Sequence, residues 1–118
     1  MNTAAIASDF FELCKHGKLK EAGAKHWSKD VVSVEPMGDQ RETSGIDAVA
    51  AKGEWWRNAH TVHAMTLEGP YVSPDQFVMR FLLDVTVNAT GQRTKLDEVG
   101  IYHVRGGQVV RETFLFNT

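Results

Sequence analysis

Between Gln76 and Ala89 the run QFVMRFLLDVTVNA sets Phe77, Met79, Phe81, Leu83, Val85 and Val87 at every second position. Arg80, Leu82, Asp84, Thr86 and Asn88 fall between them. Alternation with period two over this length demands an extended strand, one face on a core and the other mostly polar. Such a strand needs neighbours for its backbone N–H and C=O groups. Three more strand-like runs supply them: His60 to Val72, Arg93 to Val104 and Val109 to Phe116. The breaks VSPDQ, NATGQ and VRGGQ carry turn chemistry, with Gly91, Gly106 and Gly107 free to take positive φ. The second half of the chain is therefore a meander of long antiparallel strands.

The first half reads differently. Ile6, Phe10, Leu13 and Cys14 recur at helical spacing and predict an amphipathic helix over 3–15 that stops at Gly17. KLKEAGAKHW predicts a second short helix reaching Trp27. Asp30 to Glu35 has strand composition through Val31, Val32 and Val34, and a polar turn follows. Ser44 is placed to cap a third helix from Ile46 to about Asn58. Helices first and strands afterwards predict one α+β domain over residues 1–118, with the helices on one face of the sheet.

Several function classes are disfavoured. A formal net charge of -2, without basic clustering, does not suit nucleic acid or an acidic membrane surface. The apolar runs are too short to span a bilayer. MNTAAIASDFFELCKHGK lacks a basic start followed by an apolar stretch, so no secretory signal is expected. Cys14 is the only cysteine, which rules out an internal disulfide, fits a small core residue and suits the reducing cytoplasm. His60 and His63 of HTVH would point to opposite faces of a strand, and no further ligand lies near them, so no metal is expected. No phosphate loop or nucleophile elbow occurs, and no cofactor is implied.

HWSKDVVSVEPMGDQRETSG and VRGGQVVRETFLF carry a resemblance. With the order of elements, they resemble the nuclear-transport-factor-two-like folds, in particular their ketosteroid isomerase and SnoaL-like polyketide cyclase branches. The resemblance implies a cone-shaped, curved, mostly antiparallel sheet closed by three helices around an apolar pocket, and pairing into a homodimer. It implies that Glu35, the carboxylate before a proline, shuttles a proton, and that Trp27 is a pocket aromatic. At the family's oxyanion-donor positions this chain carries Phe10 and Gly100. Steroid isomerisation by the usual route is therefore not expected.

With the strands phased on that resemblance, Glu98 and Tyr102 face inward, as do Glu112, Phe114 and Phe116. A single bulge would reverse every assignment beyond it. Glu35, Glu98 and Glu112 then meet in apolar surroundings, which suits proton transfer beside a carbonyl. Alternatively Glu35 caps its turn, while Glu98 and Glu112 pair with Arg93 or Arg111. Trp56, Phe10, Tyr102, Phe114 and Phe116 would shape the site around a small hydrophobic, carbonyl-bearing or cyclic ligand. Trp55 and Trp56 divide between core, interface and ligand roles. Gly100 within a strand marks a bulge or a close approach, a bulge being the simpler choice. Leu82, Val99, Ile101, Val109 and Leu115 make the outer sheet face apolar enough for a dimer interface. The competing class is a non-catalytic binding or interaction module of the same fold.

Overall fold

The structure is a computed structural model, and it describes residues 1–116. Its elements are α1 (Thr3–Lys15), α2 (Leu19–His26), β1 (Trp27–Val34), β2 (Glu42–Ser44), α3 (Ile46–Ala59), β3 (His60–Val72), β4 (Gln76–Val87), β5 (Gln92–Arg105) and β6 (Gln108–Phe116). Six strands form one curled, unclosed sheet in the order β2-β1-β6-β5-β4-β3. Every pairing is antiparallel except β1 with β6. That parallel pair returns the first strand to the side of the last. It brings the carboxylates of the two halves together.

β4 is the spine of the core. Phe77, Met79 and Val85 are fully buried, each contributing about 1.5–3 kcal/mol for a large apolar side chain. From above, α1 adds Ile6, Ala7, Phe10 and Cys14. The N-cap of α1 is Asn2, whose side chain accepts from the Ala5 N–H at 2.8 Å.

Three local expectations are corrected. Ser44 does not cap α3: it ends β2, and Gly45 is the N-cap, with φ 92° and no side-chain hydrogen bond. A positive φ at the strand-to-helix corner suits glycine, so backbone geometry overrides the capping preference of serine. Trp27 belongs to β1, because α2 closes one residue earlier. Gly100 is not a bulge, since its pairings with Met79 and Phe114 are in register. A Cβ there would lie 2.7–2.9 Å from the Tyr102 ring and hydroxyl. Its role is close approach.

β6 does carry a bulge. His103 pairs with Arg111 and Val104 with Val109, leaving Val110 as the extra residue. Val109 and Glu112 consequently both face inward, and Val109 is fully buried in the core. Its expected place on the outer face is overturned.

Candidate functional site

Three neighbouring strands set the site. The register aligns Ser33 of β1 with Glu112 of β6, and Glu112 with Tyr102 of β5. Glu98 lies farther along β5, between Phe81 and Phe116. On β1, Val31 and Ser33 are fully buried, and Glu35 continues their face just past the strand end. The helix layer contributes Lys52. It lies three residues after buried Val49 and four before half-buried Trp56, on the inward stripe of α3.

These side chains form one connected chain of polar contacts. Lys52 Nζ donates to Glu35 Oε1 at 2.9 Å and also to Ser33 Oγ. Ser33 Oγ donates to Glu112 Oε2 at 2.8 Å, and Trp27 Nε1 donates to Glu112 Oε1 at 2.9 Å. Lys52 also lies 5.5 Å from the centre of the Phe114 ring. Trp27 reaches Glu112 because Gly23 leaves room for it: a Cβ on Gly23 would come within 2.5 Å of the indole. Glu112 is 5% exposed, and its burial pushes the carboxyl above the usual range, opposed by the Ser33 and Trp27 donors.

Glu98 has no hydrogen-bond or ion-pair partner among the described residues. Burial first, then repulsion from Glu35 and Glu112, pushes its carboxyl up to about 8, with Lys52 acting against the rise. Tyr102 stands beyond Gly100 on the same face, and its ring leans back along the strand toward Glu98. Its hydroxyl is likewise unpartnered among the described residues. Burial, then Glu112, Cys14 and Glu98, hold it well above the ordinary tyrosine value, so it stays a neutral donor. No fully enclosed side-chain nitrogen or oxygen lacks a partner among the described residues. Neither the Glu98 carboxyl nor the Tyr102 hydroxyl is therefore fully enclosed.

Glu35, Glu98 and Glu112 are thus brought together, with Trp27 and Tyr102 beside them and Phe114 close to Lys52. Phe116 faces Glu98 across the ladder. Trp56 stacks on His60, ring centres 4.3 Å apart, while Trp55 is exposed. Phe10 is core: it packs 5.0 Å from the Tyr102 ring and 5.7 Å from Phe77. It supports the site through its contact with Tyr102. The alternative partners are corrected too. Arg93 pairs with Asp84, and neither Glu98 nor Glu112 is bound by an arginine among the described residues. Glu35 pairs with Lys52.

Lys52 and Ser33 went unnoticed in the sequence. The signal for each was present, as the three-and-four spacing of α3 and the two-residue spacing of β1 after Val31. A separate concave space, an open groove of about 530 Å³, lies between α2 and α3 and is lined by Lys20, Trp27, Ala50, Glu54 and Arg57 among others. None of the three glutamates lines it, so only Trp27 links the two places. Among the described residues no His, Cys, Asp or Glu group is arranged to hold a metal, and no helix is long and apolar enough to cross a membrane.

The family model for the SnoaL-like domain matches residues 1–116. The chain belongs to the SnoaL-like domain family. A solved Mesorhizobium loti structure, provisionally named a SnoaL-like polyketide cyclase, is 44% identical over 98% of this chain and 99% of that one, with a TM-score of 0.94. A provisionally named isomerase of Bacillus subtilis shares the fold at 18% identity and a TM-score of 0.80, over 99% of this chain and 90% of that one. So does a protein of Anabaena variabilis called NTF2-like, at 15% identity and a TM-score of 0.78, over 99% and 90%. No curated protein matches. This SnoaL-like domain therefore has the curled α+β architecture that the resemblance implied.

Proposed function

We propose that this SnoaL-like domain binds a small, mainly apolar molecule through a carbonyl oxygen beside Glu98 and moves a proton on it. The observation that carries the reading is the bare Glu98 carboxyl, half-buried, without a partner among the described residues and raised to about 8. At neutral pH it is an O–H donor. Tyr102 is a second donor on the same face, and two unspent donors suit one acceptor oxygen.

The roles follow from charge. Glu98 and Tyr102 donate to the ligand oxygen as negative charge develops on it. Glu35 accepts the proton lost from the adjacent carbon and returns it to another carbon, so no oxidant or cofactor is consumed. Trp27, Trp56, Phe114 and Phe116 supply apolar walls.

The test is proton exchange at the activated carbon of enolisable cyclic ketones in D2O, with Glu35→Gln and Glu98→Gln as comparisons. Exchange that falls about 10²-fold or more in Glu35→Gln supports the role of Glu35 as base. Absence of both exchange and binding across the panel sinks the reading. The Lys52–Glu35 ion pair and a core filled by Phe10, Phe77 and Tyr102 favour a second one, a non-catalytic module. Half-exposed Leu115 and half-buried Leu82, Val99 and Ile101 on the outer face support self-association, which light scattering would detect.

A further inference from the structure

The site holds carboxyl groups from β5, β6 and the residue after β1, and a single ammonium, from α3. With every group ionised it would carry a net negative charge in a place largely removed from water. One bound proton relieves this, and the donors decide which carboxyl takes it.

Lysine and indole nitrogens only donate. Ser33 Oγ therefore accepts from Lys52, and its one proton is directed at Glu112 Oε2. Glu112 Oε1 takes the Trp27 N–H. Both oxygens of Glu112 are thus acceptors, which is the pattern of a carboxylate. Glu35 takes another N–H of Lys52. Of the three, Glu98 alone receives no donor from the described residues.

We propose that Lys52 is a positioning residue: by binding Glu35 directly and orienting Ser33 toward Glu112, it leaves the site's proton on Glu98. This rests on the proposed function, because a protonated Glu98 is the donor that reading needs. Lys52 comes from the helix layer and the carboxyls from the sheet, so the seating of α3 against β1 sets the protonation pattern. The groups facing Glu112 are Lys52 from α3, Ser33 and Glu35 from β1 and the residues after it, Trp27 at the start of β1, and Cys14 of α1. Tyr102 lies opposite it on β5, and Glu98 of β5 acts on it by charge repulsion.

The experiment is a carbon-detected NMR titration of the glutamate carboxyls in wild type, Lys52→Met, Lys52→Arg and Ser33→Ala, without ligand. Glu98→Gln and Glu112→Gln provide the assignments. Under the proposal, Glu98 should titrate last in wild type, near 8. In Lys52→Met the Glu112 midpoint rises by about one pH unit or more, since both an opposite charge and the directed hydroxyl are lost. Ser33→Ala, the milder change, raises Glu112 while leaving the Lys52–Glu35 pair in place. Lys52→Arg keeps the charge and stays nearer wild type than Lys52→Met. A Glu112 midpoint unmoved in both Lys52→Met and Ser33→Ala overturns the proposal. Because no ligand is present, the shifts can hold while ketone binding fails, so this inference and the proposed function fall separately.

Discussion

Asp97 and Glu98 are consecutive on β5 and live under opposite rules. Asp97, on the outer face, receives Arg80 through two hydrogen bonds of 2.9 and 2.8 Å, and Arg80 also reaches Glu68 at 2.9 Å. Glu98, on the inner face, receives nothing from the described residues. The outer face spends its charges on one another in contact with water. The inner face binds one carboxylate, Glu112, ties a second, Glu35, to Lys52, and leaves the third bare. Carboxylates on an ordinary strand surface find cations; one kept without a donor and partly removed from water costs stability.

The largest expected effect on this contrast comes from the bound inner carboxylate. Glu112→Ala strands the half-buried Trp27 N–H and the buried Ser33 hydroxyl and removes a negative charge near Lys52. Denaturant unfolding at pH 7 should show a loss of about 3–4 kcal/mol. A loss below 1 kcal/mol would mean that the inner network is not a structural unit.

Next is the cost of the bare carboxyl itself. Its folded value of about 8 lies above the ordinary 4.5, so between these values the folded chain keeps a proton that the unfolded chain releases. Stability therefore falls as pH rises through this window, by at most about 1.4 kcal/mol per pH unit from this group. Glu98→Gln should flatten the slope and leave the variant more stable than wild type at pH 8, by up to about 4 kcal/mol. Equal slopes in thermal or denaturant unfolding at pH 6 and pH 8 would show that Glu98 is already paired or solvated.

The smallest effect belongs to the outer face. The Arg80 side chain is 43% exposed, so Asp97→Asn should cost only about 0.5–1 kcal/mol and leave the Glu98 titration where it was. A shift in Glu98 would mean that the two faces are electrically coupled through the sheet, and the contrast would dissolve.

Much of the fold was legible in local pattern. Alternation in β4 announced which side chains are buried, and it held along the strand because an antiparallel neighbour on each side kept the phase. The helices α1 and α3 were readable from spacing. Val109 was misread, because the Val110 bulge that turns it inward is a matter of pairing with β5 and leaves no trace in β6 alone. Glu35, Glu98 and Glu112 were recognised as candidates, while Lys52 looked like any surface lysine of an amphipathic helix.

The sequence by itself determined the elements and the inward face of β4, because period and polarity are properties of a few consecutive residues. Tertiary structure alone decided who meets whom. Lys52 and Glu35 are 17 residues apart, Ser33 and Glu112 are 79 apart, and Trp27 and Glu112 are 85 apart. Such pairs are set by the parallel β1–β6 ladder and by the seating of α3 upon it. A carboxylate's charge state depends on its donors and its distance from water, and both are fixed only when those elements close around it.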